Sequence, residues 1–179
     1  RKLAAEYNLP VAKKPDSVDI CFLPHGNYQK LVVEEMKTKP KTGNIVTEDG
    51  EVLGKHTGLF NYTIGQRKGL GIAYKHPLYV IGFNGERNEV IVGPNERLFT
   101  NHMICKFYNF LDDSIHKELN AEGKIRYAAN PSPCTARILD DDTMEVIFDE
   151  PQRAITPGQS VAFYNGTQLL GGAVIDRVC

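Results

Sequence analysis

No run of about 18 consecutive apolar residues occurs in the 179-residue sequence, so no segment reads as a membrane-spanning helix. A charged start followed by an apolar core, the mark of a secretory signal, is also missing, and the expected location is the cytoplasm. Charge of one sign is not in excess. The 21 Lys and Arg against 22 Asp and Glu leave a formal charge of −1, so any hold on nucleic acid has to come from local patches. The cysteines, Cys21, Cys105, Cys134 and Cys179, are far apart and form neither C-x-x-C pairs nor a Cys/His cluster. Those spacings speak against structural zinc and a disulfide framework, and no metal is expected. There are no repeats, low-complexity tracts or long charge runs. An initiating methionine is absent too: "RKLAAEYNL" reads as the tail of a helix already under way, as in a piece of a longer protein.

What is present is 41% apolar residues, enough to close a core. Pro10 and Pro15 interrupt regularity, and the segment to Pro24 reads as a connector with one short apolar run, "ICFL". Asn27 is placed to cap a helix carrying Tyr28, Leu31, Val32, Glu35 and Met36. "GNIVTEDGEVLG" predicts two short strands about an Asp49-Gly50 turn, and "PLYVIGF" with "NEVIVG" predicts a second pair. Beyond Pro94 six strands are expected: "HMICKFYNF", "GKIRYAA", "CTARILD", "TMEVIFD", "QSVAFYN" and "QLLGGAVIDRV". The fold class is therefore mainly β with a small α+β part. Residues 1–24 form a tail and connector, 25–93 a small α+β domain, and 94–179 a closed six-stranded barrel.

Few residues invite chemistry. In "GQRKGLGIA" the glycines surround Arg67 and Lys68, but the spacing is neither G-x-x-x-x-G-K-[ST] nor G-x-G-x-x-G, so turns carrying two exposed cations are expected. His25, His56, His76, His102 and His116 are scattered and read as surface or packing. "DDD" at 140–142 reads as turn chemistry. Arg126 and Tyr127, adjacent in the expected strand "GKIRYAA", would point to opposite faces, so at most one of them can face the core and at least one is exposed. Gln159 of "TPGQS" reads equally as a base contact or a solvated amide. Cys21, inside "ICFL", reads locally as a small hydrophobe.

Taken together, "KKPDSVDICFL", "HTGLFNYTIGQRKGLGI", "DDDTMEVIFDEPQRAITPGQS" and "FYNGTQLLGGAVI" closely resemble the tRNA-specific 2-thiouridylase family, also called MnmA or TrmU. The resemblance covers essentially the whole chain, but only the central and C-terminal part of the family. The S-G-G-x-D-S loop of its N-terminal ATP-pyrophosphatase domain has no counterpart in the sequence. It implies a tRNA-uridine 2-sulfurtransferase that consumes ATP to adenylate the wobble uridine (U34) of tRNA, then exchanges its C2 oxygen for sulfur. Cys21 matches the family cysteine that receives sulfur from a relay protein as a persulfide. Arg126, Tyr127 and Gln159 match tRNA contacts, with Arg67 and Lys68 as weaker candidates. An elongation-factor-like barrel and a tRNA-positioning central unit are implied as well. The 179 residues alone would then hold no ATP site and be inactive.

A thiol with an ordinary pKa of about 8.5 is about a tenth or less thiolate at neutral pH, so sulfur transfer at Cys21 needs help with ionisation. Lys13 and Lys14 would supply it while Asp16 and Asp19 would oppose it, and sequence leaves that sign open. The alternative is a tRNA-binding barrel module in which Cys21 is packing.

Overall fold

The computed structural model describes residues 1–14, 28–36, 40–112, 115 and 117–179. The chain divides into two compact units, Arg1–Pro40 and Lys41–Cys179. In the first, a short helix α1 (Lys2–Glu6) leads into a 3-10 turn, Pro10–Lys13, and α2 spans Tyr28–Met36. Cys21, His25 and the rest of the "ICFL" connector lie outside the described residues. No helix among the described residues is long and apolar enough to cross a membrane.

The second unit holds a four-stranded sheet and a closed barrel. The sheet is two hairpins, β1 (Gly43–Thr47) with β2 (Val52–His56) and β3 (Tyr79–Asn84) with β4 (Glu89–Gly93), joined through parallel β1 and β4. The first turn closes as its residues predict: the Gly50 N–H donates to Thr47 O at 3.0 Å, and Gly50 takes φ +85°, which costs glycine nothing. Asn88 ties the hairpins together. Its amide donates to Thr42 O at 2.9 Å, and its carbonyl accepts from His56 Nε2 at 2.9 Å. Because Gly58 N–H must donate to His56 Nδ1 (3.1 Å), the buried His56 ring carries its proton on Nε2. His56 is thus a packing histidine, as expected. Ile45, Val80, Val90 and Val92 form the core of the sheet with Leu70 and Leu78 from the long β2–β3 connection.

The barrel strands are β5 (Phe99–Phe110), β6 (Glu118–Lys124), β7 (Ser132–Ile138), β8 (Thr143–Arg153), β9 (Ser160–Asn165) and β10 (Gln168–Val178). They close in the order β10-β5-β8-β7-β6-β9, with every pairing antiparallel. Alternation fills the interior: Met144, Val146 and Phe148 of β8 and Val161 and Phe163 of β9 are buried while their neighbours face out. Between the third and fourth of the six expected strands, Asp140 Oδ1 accepts the N–H groups of Asp142 (2.9 Å) and Thr143 (2.7 Å). Those bonds hold its carboxyl below the usual range and make "DDD" a side-chain-closed turn.

Two strands depart from the sequence expectation. "GKIRYAA" is not a strand: β6 ends at Lys124, and Arg126 and Tyr127 occupy the bend and turn that follow. The paired segment is instead "ELNAEGK", poor in β-formers, which closure of the barrel holds in place against β7 and β9. β8 also runs on past Pro151 to Arg153. Its register against β5 jumps from His102↔Ile147 to Thr100↔Gln152, and Pro151 falls in that break, where it forfeits no ladder bond.

Candidate nucleic-acid interface

The register that pairs Lys124 with Ala162 fixes where the predicted contacts emerge. β6 leaves the ladder just before Arg126, and β9 enters it just after Gln159, so both turns sit at the same end of the barrel. The turn at 156–159 is built by its own residues: Pro157, then Gly158 at φ +85°, with Gln159 N–H donating to Thr156 O at 3.2 Å. The Gln159 backbone is pinned further by Ile175 N–H donating to its carbonyl at 2.8 Å, while its side chain faces solvent.

Tyr127 is 97% exposed, with Lys124 Nζ 5.6 Å from its ring centroid. A phenol this bare contributes nothing to a core, and its face is open for stacking. Arg126 is exposed as well, its Nη2 donating to Arg153 O at 2.6 Å. At most one of the pair is expected to face the core; both are exposed, because a turn does not enforce the alternation that a strand would.

The same end of the barrel meets the sheet. Arg153 donates from Nε to Asn95 Oδ1 at 3.1 Å and lies over the Tyr79 ring at 5.4 Å. Ala154, buried, takes a left-handed φ of +56°, held by its N–H on Leu98 O at 2.7 Å. Such a residue costs about 1–3 kcal/mol of strain and persists only where its surroundings fix it. Against this step packs the Gly-rich loop: a Cβ on Gly65 would lie 3.1 Å from the Ala154 Cβ and 3.4 Å from Arg153 Nη1. Arg126 and the loop carrying Arg67 and Lys68 thus share one anchor.

The loop itself is a pair of turns presenting two exposed cations, as its spacing predicts. Gly65 N–H donates to Val80 O (2.8 Å), Val80 N–H to Gln66 O (2.9 Å), and the Gln66 amide braces Thr63 N–H and Lys68 O (both 3.0 Å). Beyond it lies an open groove of about 440 Å³ floored by Leu70, Ile72 and Leu78 and rimmed by Arg67, Tyr74, Lys75 and His76. Tyr74 and His76 meet edge to face at 4.9 Å, with Lys75 Nζ 5.7 Å from the Tyr74 centroid. A second groove, about 470 Å³, shares His76 and Pro77 and reaches Tyr79 and Asn95, the partners of Arg153. From sequence, His76 reads as surface or packing, and nothing marks Tyr74, Lys75 or Arg153. The run "YKH" next to the Gly-rich stretch was the available signal, but only the fold joins it to Arg153.

The described cysteines differ sharply. Burial pushes the Cys105 thiol up to about 12, with Asp176 and Cys134 adding to it. Burial likewise takes Cys134 to about 11, against the pull of the Gly123 N–H. Both are core filler; Cys179 is exposed. Among the described residues no group of three or more His, Cys, Asp or Glu is placed to hold a metal ion.

Two family models match in sequence. "tRNA methyl transferase PRC-barrel domain" covers residues 30–94, and "Aminomethyltransferase beta-barrel domain" covers 100–175. Among curated proteins, tRNA-specific 2-thiouridylase MnmA of Carboxydothermus hydrogenoformans is 46% identical over 178 residues, 99% of this chain and 49% of that protein. The MnmA of Clostridioides difficile is 43% identical over 178 residues, with the same coverage, and that of Geobacter metallireducens 43% over 176, covering 98% of this chain and 48% of its own. The chain spans about half the length of these relatives. With its sheet and barrel each matched and nearly every residue aligned, the chain belongs to the tRNA-specific 2-thiouridylase family.

Proposed function

We propose that this chain is the tRNA-holding, sulfur-carrying part of an enzyme that replaces the C2 oxygen of a wobble uridine in tRNA with sulfur. The observation that carries the reading is the gathering of Arg126, Tyr127 and Gln159 at one end of the barrel, with Tyr127 97% exposed. A bare aromatic beside cations is the arrangement that grips phosphate and stacks on an unpaired base, as an anticodon offers.

The chemistry follows from what C2 of a uridine requires. Its oxygen is a poor leaving group, so ATP adenylates it with loss of pyrophosphate, at a site in the part of the relatives' length that this chain does not span. A relay protein loads Cys21 as a persulfide. The terminal sulfur attacks C2, AMP departs with the original oxygen, and a second cysteine outside this chain cuts the S–S bond, leaving a disulfide for a thiol reductant to open. Cys105 and Cys134 do not compete for this role, because burial keeps both protonated at neutral pH.

The test is Cys21→Ser in the full-length protein, reading 2-thiouridine in tRNA. Loss of the modified base with tRNA binding intact is the expected result. Undiminished 2-thiouridine would reduce the chain to a tRNA-binding module with Cys21 as packing.

A further inference from the structure

We propose that the groove behind the Gly-rich loop is a second RNA contact, continuous with the barrel turn, so that one strand runs from Arg67, Tyr74, Lys75 and His76 past Arg153 to Arg126 and Tyr127. This rests on the tRNA reading above and extends it from the weaker candidate Arg67 to Tyr74, Lys75, His76 and Arg153, which neither the sequence motifs nor the relatives' names assign.

Three observations carry it. First, continuity: the two grooves share His76 and Pro77, the second ends at Tyr79 and Asn95, and both of those hold Arg153, whose carbonyl receives Arg126. Every residue in that sequence belongs to the one Lys41–Cys179 unit. Second, charge: Arg67 and Lys75 rim the first groove, and among the described residues lining the two grooves Glu96 carries the one carboxylate. In a chain of net charge −1 such local bias is what a polyanion can find. Third, aromatic faces recur at both ends, Tyr74 beside Lys75 and Tyr127 beside Lys124, each a platform for a base with a cation at hand for the phosphate. An apolar floor of Leu70, Ile72 and Leu78 suits the flat body of a base or ribose and offers nothing to an extended polar peptide.

The joint explains the strain at Ala154. The left-handed turn there aims the Arg153 carbonyl at Arg126 while its guanidinium reaches across to Tyr79 and Asn95. Arg153 is on this account a positioning residue, setting the angle between the two contact surfaces.

The experiment uses full-length protein and an unmodified tRNA transcript with uridine at the wobble position, with Kd measured across a salt series. Each phosphate contact adds about 0.7–0.9 to the slope of log K against log salt. Lys75→Ala and Arg126→Ala are each expected to lower the slope by about that amount, and the double variant by about twice it. Tyr74→Ala should weaken binding at least about fivefold while Tyr74→Phe retains it, as for a stacking ring. These side chains are exposed, so unchanged thermal midpoints accompany the expected result. If Arg126→Ala flattens the slope while Lys75→Ala and Arg67→Ala do not, the second contact is refuted and the tRNA reading stands. If the wild-type protein shows no tRNA binding at all, both fall. If Lys75→Glu leaves tRNA binding intact but blocks sulfur loading by a donor protein, the groove receives a protein and the RNA assignment is overturned.

Discussion

A thiol reacts as its anion, and the barrel denies that form to Cys105. In the folded state the group stays protonated to about 12, whereas in the unfolded chain it ionises from about 8.5. Between those values the unfolded state binds fewer protons, so this contribution to stability is complete below about pH 8.5 and is lost as pH rises, at up to about 1.4 kcal/mol per pH unit. The advantage of wild type over Cys105→Ala in urea unfolding should therefore shrink between about pH 8 and about pH 10. An advantage constant across that range would mean that the thiol ionises freely inside the fold. At this scale sequence was informative where local chemistry decides: the Asp140 turn, the Gly50 turn and the exposure of Arg67 and Lys68 all follow from their immediate neighbours. It was uninformative for Tyr127, whose exposure depends on where its strand ends.

That ending belongs to the scale of the element. β6 survives with Glu, Asn, Ala and Gly where β-branched residues are the usual choice, because pairing on both sides and inward packing at Gly123 hold it. A Cβ at Gly123 would lie 2.8 Å from the Phe148 ring and 2.9 Å from Cys134 Sγ, both buried and unable to swing aside. Gly123→Ala should overpack the barrel at a cost of about 1–3 kcal/mol, seen as a lower thermal midpoint. An unchanged midpoint would show that β6 is looser than its ladder implies. Hydrophobic pattern favoured "GKIRYAA" because Ile125 and the alanines mimic a strand. Ile125 does reach the core, but as the first residue beyond the ladder. Of the remaining five strands β7, β8, β9 and β10 carry their alternation openly, while β5 buries Met103, Ile104 and Cys105 in a row. Each lies where its pattern suggests, with β5 and β8 longer than expected because paired ends can include Phe99, Thr100, Gln152 and Arg153 without apolar periodicity.

For the whole molecule, what sequence left hidden is the joint. No pattern announces that the sheet meets the barrel through Arg153 and Ala154, since the join consists of one carbonyl, one guanidinium and one left-handed residue. Yet it is this join that brings the Gly-rich loop and the barrel turn onto one anchor and turns scattered motif residues into a surface. The surface holds RNA on this account, and the sulfur comes from Cys21, which lies outside the described residues. The measurement that bears most directly on that claim is peptide mass spectrometry of full-length protein after incubation with a persulfide donor. The account predicts one added sulfur atom on the peptide containing Cys21 and none in Cys21→Ser. Sulfur carried on a different cysteine, with tRNA still thiolated, would contradict it.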